Sequence, residues 1–297
     1  MKLLNIGDPT GTASKLALKK YEPEDITIWE NDPRHIYTIK QICDKITIIT
    51  DIQPYIDDRM QFDCTLGNPP YQDSSNVDNA QNLWTHFWRQ ALEVTKDDGV
   101  VSLITPMTWC SPSRDFKSPK YGYMGDVRLW DSFNRYTSIA DIDTVSQHFK
   151  GVGSTFSRVT VYKSGNKGLS FTGGYDTSMG FLPKSGDIKD IFSRLDKEEN
   201  MRKYFSMDDQ YRPGLKVSVP VTRGFIDKPD MIQILQGNEV GTSASEEPRF
   251  YRYIYVDDME TADKVKRVIM DNADILCEHC RWAGYLNLKM IDLIKWQ

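Results

Sequence analysis

Apolar and polar positions follow two different periods along the first part of the chain. Four apolar runs of strand length each end at a glycine or a polar residue, and they cover residues 2–6, 26–29, 46–50 and 62–66. The stretches between them have helical length, and residues 33–44 begin with a proline, which is favoured in the first turn of a helix. Strands that alternate with helices predict a parallel sheet covered by helices on both faces.

The same alternation continues to about residue 163. Residues 83–92 carry aromatic and apolar side chains at helical spacing, which predicts a helix with a buried face. Three further strands are predicted at residues 100–104, 139–143 and 154–163. The sequence therefore predicts an α/β fold with a Rossmann-like sheet of seven strands. Residues 164–168 are expected to form a linker, so that the first domain spans residues 1–164.

The remaining residues, 165–297, predict a smaller α+β domain. Residues 250–256 alternate like a strand, and residues 261–276 follow the pattern of an amphipathic helix. No known nucleic-acid motif occurs here. One turn-rich stretch nevertheless contains three cations that suit base edges in the major groove, namely Arg212, Lys216 and Arg223.

Functional candidates gather where the predicted strands end, because ligands of an open α/β sheet bind beyond the carboxyl ends of its strands. Gly7 and Gly11 follow the first strand, and without a Cβ they let the backbone turn tightly and approach a ligand. Glu30 or Asp32 would accept hydrogen bonds from ribose hydroxyls after the second strand. Asp51 would accept from an adenine amino group after the third. Each acid taken alone is more typical of a helix N-cap or a solvated turn.

The glycines after the first strand do not match two common nucleotide-binding signatures. The three-glycine fingerprint of dinucleotide-binding folds is absent from the sequence, and so is the phosphate-binding P-loop. A nicotinamide cofactor is therefore not supported.

The fourth strand is followed by the tetrapeptide Asn68-Pro69-Pro70-Tyr71. Proline has a fixed φ and no amide hydrogen, so these prolines end the strand and hold the neighbouring carbonyl groups in one direction. The Asn68 side-chain oxygen and the Pro69 carbonyl would then accept both hydrogens of an exocyclic amino group. This favours a pyramidal nitrogen with a free lone pair, which is a competent nucleophile. Tyr71 would stack on the flat face of a base turned out of its helix.

Composition and net charge limit the kinds of partner and the cellular location that can be expected for this protein. The net charge of -5 excludes indiscriminate coating of nucleic acid, so any such contact must be a local patch. The five cysteines are dispersed and odd in number, which predicts reduced thiols. Cys277 and Cys280 have the spacing of metal ligands, but no second pair of ligands follows, so no metal site is predicted. The lack of a long apolar segment and of a signal peptide predicts a soluble, cytoplasmic protein without a membrane partner.

With these motifs, the chain resembles the S-adenosylmethionine-dependent amino-methyltransferases that modify N6 of adenine in DNA and carry the cofactor motif before the catalytic one. The resemblance covers roughly residues 1–163. It lies in the segments GDPTGTASKLAL and WENDP, in TD at 50 and 51, in GNPPYQ, and in the later strands DGVVSLITPMTW and GVGSTFSRVTVYK.

The resemblance implies S-adenosylmethionine as the cofactor and double-stranded DNA as the substrate, with the target adenine flipped against Tyr71 and Phe156. Catalysis would rest on the tetrapeptide Asn68, Pro69, Pro70 and Tyr71. Donor contacts would come from Asp8, Pro9, Gly11, Glu30, Asp51 and Asn68. Residues 165–297 would recognise the target sequence. The family usually has a covering segment before the first strand, so a C-terminal segment or a second subunit is expected to close the cofactor site here.

Residues 111–136 follow the fifth strand and interleave cations with aromatic rings. They leave the sheet at the same edge as the tetrapeptide, where Arg114 and Lys117 would meet phosphates. The interspersed aspartates are equally compatible with a solvated loop whose rings pack on the domain.

Three hypotheses about function follow. The first is an adenine-N6 DNA methyltransferase of a restriction-modification system. The second is the same reaction on RNA or on a protein glutamine amide, although the glutamine enzymes carry their extra domain before the cofactor motif. The third is a methyltransferase-like subunit that has lost cofactor binding and serves in DNA binding or assembly. Ala13 and the short segment before the first strand motivate it, because the family usually has a further glycine in its cofactor loop and a covering segment before that strand.

Overall fold

The computed structural model describes two compact units. The described residues are 1–71, 83–110, 127–142, 145, 147–149, 155–175, 181–183, 187–196, 198–208, 212–220, 231–241, 251–279 and 288–296. The first unit contains the described residues from Met1 to Tyr175 except Cys110, and the second contains Cys110 and the described residues after 176. The first unit thus extends beyond the boundary expected at residue 164.

An eight-stranded sheet forms the centre of the first unit. Its strands are β1 (Leu3–Ile6), β2 (Ile26–Trp29), β3 (Thr47–Ile49), β4 (Phe62–Gly67), β5 (Thr95–Pro106), β6 (Thr137–Asp141), β7 (Phe156–Tyr162) and β8 (Gly168–Phe171). Its described α-helices are α1 (Thr12–Ala17), α2 (Pro33–Ile42), α3 (Gln53–Asp57), α4 (Leu83–Val94) and α5 (Val127–Arg135). Short 3₁₀ turns lie at Pro23–Asp25 and Met107–Cys110.

The strand order is β3-β2-β1-β4-β5-β7-β6-β8. Neighbouring strands are parallel except at β7, which runs antiparallel to both β5 and β6. The predicted α/β fold with seven strands is confirmed, and β8 adds an eighth strand parallel to β6. The expected linker at 164–168 is instead a turn into β8, in which Gly165 accepts a hydrogen bond from the Thr137 amide at 2.9 Å.

Helices bury the sheet through the apolar faces that the sequence predicts. Ile39 of α2 packs in one cluster with Ile26 and Ile28 of β2. In α4, the side chains of Trp84 and Trp88 are fully buried, and the Trp88 indole donates a hydrogen bond to Thr105 Oγ1 of β5 at 3.2 Å. The predicted helix at 83–92 and its buried face are therefore confirmed.

The second unit contains a four-stranded sheet in the order β11-β10-β12-β9. The strands are β9 (Ser206–Asp208), β10 (Lys216–Pro220), β11 (Gln233–Leu235) and β12 (Tyr251–Tyr255). The helices are α6 (Ile188–Ser193), α7 (Met201–Tyr204), α8 (Met259–Asp271) and α9 (Leu288–Leu293), with a π-helical turn at Ile275–His279. All described pairings in this sheet are antiparallel.

The interpretation of Lys216 as a reader of base edges is wrong. Its side chain is fully buried, and its ammonium group donates to the carbonyls of Gly214 at 3.3 Å and Gly237 at 2.9 Å. Burial lowers the pKa of this group. The Arg212 guanidinium lies 4.1 Å from the centre of the Tyr255 ring, and Arg223 lies outside the described residues.

The basic and aromatic segment 111–136 is described only from residue 127, so Arg114 and Lys117 lie outside the described residues. In the described part, the Trp130 ring lies 5.8 Å from that of Trp109 and 6.2 Å from that of Phe171. This ring packs within the first unit, as the second interpretation of the segment expects.

Cys280 and the side chain of Cys277 also lie outside the described part of the chain. Cys43, Cys64 and Cys110 are free thiols. None of the helices in the described ranges is both long and apolar enough to cross a bilayer.

Substitution of Gly67 is expected to destabilise the first unit because β1 and β4 approach closely there. A Cβ at this position would lie 2.4 Å from the Ile6 carbonyl oxygen, so Gly67→Ala should cost about 3 kcal/mol of unfolding free energy. Gly174→Ala is the matched control, because Gly174 has a φ of +67° but no atom within 4 Å of the added Cβ. It should cost about 1 kcal/mol. Equal losses in urea unfolding would contradict the steric explanation.

Candidate active site

Two loops leave the sheet side by side at the carboxyl ends of β1 and β4. Ile6 and Gly67, the last residues of these strands, are paired in register. The Asn68 amide donates to the Ile6 carbonyl at 3.1 Å, and the Gly7 amide donates to the Trp29 carbonyl of β2 at 3.1 Å. The strand order reverses at β1, since the chain passes from β1 outward to β2 and β3 and returns to β4 on the other side. Open α/β sheets bind their ligands at such a switch point.

The turn after β1 depends on two glycines with positive φ. Gly7 has a φ of +73°, and a Cβ there would lie 3.0 Å from the Asn68 carbonyl oxygen. Gly7 therefore lets the turn pass close to the tetrapeptide. Gly11 has a φ of +68°, and a Cβ there would lie 2.1 Å from Ile42 Cδ1 of α2. The close approach at Gly11 is thus to a neighbouring helix.

Asp8 holds this turn together through its carboxylate. The side chain is only 3% exposed and accepts hydrogen bonds from the amides of Ala13 at 3.1 Å and Ser14 at 2.8 Å, and from the Ser14 hydroxyl. Both amides belong to the first turn of α1, so Asp8 supplies the side-chain acceptor that the N-cap residue, Gly11, lacks. Pro9 follows it on the surface. Asp8 and Pro9 thus lie at the predicted edge, and their contact with a cofactor stays a prediction.

Glu30, directly after β2, faces the same turn. Its Oε1 accepts from the amides of Asn31 at 2.9 Å and Asp32 at 3.0 Å, and its Oε2 accepts from the Asp8 amide at 3.2 Å. The carboxylate is 11% exposed, and Oε2 also lies 3.2 Å from Nδ1 of His35. Glu30 therefore joins the ends of β1 and β2.

Asp32, the other acid considered for ribose binding, belongs to helix α2. It accepts from the Arg34 amide at 2.9 Å as the N-cap of that helix, and it pairs with the Arg34 guanidinium at 2.6 Å. Hydrogen bonds from Arg34 hold the pKa of the Asp32 carboxyl well below its usual range. Glu30 is consequently the acid that faces the turn.

Asp51 lies beyond β3 at the same edge. Its carboxylate is exposed and accepts one hydrogen bond, from the Gln53 amide at 2.9 Å. Of the predicted cofactor acids, Asp51 has the most open carboxylate.

The tetrapeptide presents one amide and one aromatic ring. Asn68 and Pro70 are exposed, Pro69 is buried and Tyr71 is half-buried. The Tyr71 hydroxyl donates a hydrogen bond to Asn68 Oδ1. Burial raises the pKa of Tyr71 to about 12, so its phenol stays protonated at neutral pH and remains a donor. Asn68 thus faces outward with its acceptor oxygen held in one direction.

Two aromatic rings extend the Tyr71 side of the site. The Phe156 ring lies 5.0 Å from that of Tyr71 and 4.1 Å from that of Phe149, measured between ring centres. Phe156 is 3% exposed, so in this structure it supports Tyr71 from behind. Its contact with a base stays a prediction.

Sequence reasoning missed two residues of this edge. His35 approaches Glu30 from the first turn of α2, and Phe149 stacks on Phe156. Neither belongs to a spacing pattern that would have indicated it, because both contacts arise between separate elements of the fold.

Comparison with known families supports the predicted resemblance for part of the chain. Residues 10–121 match the family described as Eco57I restriction-modification methylase. The matched range contains β2 to β5 and the tetrapeptide, although it is less than half of the 297 residues. The similarity to restriction-modification methylases is therefore confirmed for this range. No curated protein matches the sequence significantly.

Solved structures to which this chain is similar include methyltransferases of several kinds. A predicted O-methyltransferase from Agrobacterium tumefaciens is 15% identical, with a TM-score of 0.36 over 58% of this chain and 77% of that one. A type I restriction-modification methyltransferase subunit from Streptococcus thermophilus is 13% identical, with a TM-score of 0.39 over 63% and 43%. The M protein of the type I restriction enzyme EcoKI is 9% identical, with a TM-score of 0.38 over 57% and 44%.

This chain spans less than half the length of the two type I proteins. At these identities and TM-scores, the substrate must be inferred from the residues of the chain itself.

Removal of the Asp8 carboxylate is expected to destabilise the protein even without any ligand. Asp8→Ala leaves two helix amides without their acceptor and should cost about 1–2 kcal/mol in urea unfolding. Asp51→Ala is the control, since it removes a single exposed hydrogen bond and should cost no more than about 0.5–1 kcal/mol. If Asp8→Ala unfolds like the unchanged protein, Asp8 does not hold the turn.

Proposed function

We propose that this protein is an S-adenosylmethionine-dependent methyltransferase that modifies N6 of adenine in double-stranded DNA. The observation that carries the proposal is the position of Asn68-Pro69-Pro70-Tyr71 directly beyond β4, beside the Gly7 turn at the switch point of the sheet. The match of residues 10–121 to restriction-modification methylases includes this tetrapeptide and supports the proposal.

The edge of the sheet suits the nucleoside part of such a cofactor. Carboxylates follow β2 and β3, where Glu30 would accept from the ribose and the open Asp51 would accept from the adenine amino group. Gly7 has no Cβ, so its turn passes close to the Asn68 carbonyl and brings the predicted cofactor loop next to the tetrapeptide. When bound, S-adenosylmethionine supplies an electrophilic methyl group on a sulfonium centre.

Asn68 and Pro69 would prepare the amino group of the target base. The Asn68 side-chain oxygen and the Pro69 carbonyl would each accept one amine hydrogen, which directs the nitrogen lone pair toward the methyl carbon. Methyl transfer to the amine would release one amine proton to solvent and leave the donor as its neutral thioether. The Tyr71 hydroxyl, which now donates to Asn68 Oδ1, would give up this acceptor to the amine.

Tyr71 would hold the base by its ring. It is half-buried, and the tilted Phe156 ring contacts it at 5.0 Å between ring centres, which would hold the ring in place. An exocyclic amine on a planar base matches an outward amide next to an aromatic ring, and this combination favours adenine over an aliphatic substrate. Residues 165–297 remain the candidate for recognition of the DNA sequence.

A methyltransferase-like subunit without independent cofactor binding is the second candidate. The position of His35 beside the Glu30 carboxylate favours it, because the acid expected to receive the ribose already has neighbours on both oxygens. In that case, a second subunit would be needed to complete the cofactor site. Titration of the donor into the purified protein, alone and with its partner, separates the two candidates.

The proposed substrate is tested by the destination of a labelled methyl group. Purified protein incubated with methyl-labelled S-adenosylmethionine and equal amounts of duplex DNA, RNA and protein should label the DNA, with the label recovered as N6-methyladenine. Asn68→Ala should abolish transfer and weaken donor binding by no more than about fivefold, the value of one hydrogen bond, because Asn68 would act mainly on the acceptor and is one of six expected donor contacts. Label in RNA or protein would show that this molecule, and not DNA, is the substrate. A loss of donor binding in Asn68→Ala as large as the loss of transfer would contradict the role assigned to Asn68.

The two functions of Tyr71 are separated by two substitutions. Tyr71→Phe keeps the ring and releases Asn68 Oδ1, so turnover should stay within about fivefold of the unchanged protein, the equilibrium value of one hydrogen bond. Tyr71→Ala removes the stacked ring and should weaken binding of DNA with a flipped base by about 1–3 kcal/mol. Steady-state rates and DNA affinity are the measurements. A Phe variant as inactive as the Ala variant would show that the hydroxyl, and not the ring, is required.

A further inference from the structure

The Glu30 carboxylate has one acceptor position that is not taken by the backbone. An ionised carboxylate offers about four lone-pair positions. Three of them receive the amides of Asp8, Asn31 and Asp32 at 2.9–3.2 Å. The fourth lies on Oε2, and the imidazole of His35 faces it with Nδ1 at 3.2 Å.

The four neighbours of Glu30 differ in how readily they can leave. The three amides belong to the loops after β1 and β2, so their removal would require these loops to move. His35 is a side chain in the first turn of α2 and is 30% exposed. Its Nδ1 is buried but makes no well-directed hydrogen bond, and its Nε2 is 3.9 Å from Asp32 Oδ2. His35 is therefore the neighbour that rotation of one side chain can displace.

We propose that His35 is a positioning residue that covers the last acceptor position of Glu30 and turns outward when a ribose hydroxyl binds there. This inference rests on the proposed function, in which Glu30 receives the ribose of the methyl donor. It also changes the expected contact, because Glu30 then accepts one ribose hydroxyl instead of two. Displacement of the imidazole by this hydroxyl would then lower the affinity for the donor.

The exchange is tested by calorimetric titration of S-adenosylhomocysteine, which binds without turnover. His35→Ala uncovers the acceptor and should bind this probe about fivefold more tightly, because the ribose hydroxyl no longer has to displace the imidazole before it donates to Oε2. His35→Phe keeps a bulky ring at the same position and should bind no more tightly than the unchanged protein. In turnover, His35→Ala should lower KM for the donor and leave kcat unchanged.

Two further variants make the result specific. Tyr37→Ala alters a side chain of the same helix that is 67% exposed, so its affinity should equal that of the unchanged protein. Glu30→Gln should weaken binding, and thermal melting of each variant verifies that it is folded. A folded His35→Ala variant with unchanged or weaker binding overturns the inference about His35.

The outcomes also distinguish this inference from the proposed function. If Glu30→Gln weakens binding and His35→Ala does not strengthen it, only the role of His35 fails. If Glu30→Gln leaves binding unchanged, or if neither the unchanged protein nor His35→Ala binds the probe, the proposed cofactor site itself fails. Binding by His35→Ala alone would support the inference in its strongest form.

Discussion

The candidate site depends on the register between β1 and β4. Because Ile6 pairs with Gly67, the turn that begins at Gly7 and the tetrapeptide that begins at Asn68 leave the sheet at the same level. Gly67 permits this pairing because any Cβ would meet the Ile6 backbone, and Gly7 lets the turn run beside the Asn68 carbonyl. A shift of one residue would send the side chains of β4 to the opposite face and separate the two loops.

The acids at this edge divide into those that build the loops and those that remain available. The carboxylates of Asp8 and Asp32 accept hydrogen bonds from amides in the first turns of α1 and α2, where these amides have no acceptor within the helix. Glu30 lies between these two groups, because its carboxylate accepts from three backbone amides while its remaining acceptor position faces the His35 side chain. Asp51 keeps an open carboxylate. Acidic residues near the turn therefore stabilise the loops, whereas the acidic residue farther from the turn has a carboxylate that is open to a ligand.

Much of the fold could be predicted from the sequence because the spacing of apolar residues indicates which side chains are buried. The strands of the first unit and the buried face of α4 follow directly from it. Strand β8 was missed because four residues after a turn carry too little periodicity, and it forms through its pairing with β6. Lys216 shows where such a prediction fails. A charged side chain is expected at the surface, but this one is buried and donates to two backbone carbonyls. The contacts of His35 and Phe149 depend on how elements pack, which local sequence does not record.

Asn68 and Glu30 share a physical arrangement that links the two halves of the proposed site. Each presents an acceptor oxygen fixed in direction, and beside each lies a side-chain group that can rotate away, Tyr71 at Asn68 and His35 at Glu30. In the proposed function, the incoming hydroxyl or amine would replace this polar neighbour while the oxygen keeps its orientation. A neighbouring side chain would have to turn away before each oxygen can accept from a ligand, so the new hydrogen bond would add little net binding energy. Selectivity for the base would then depend mainly on the Tyr71 ring.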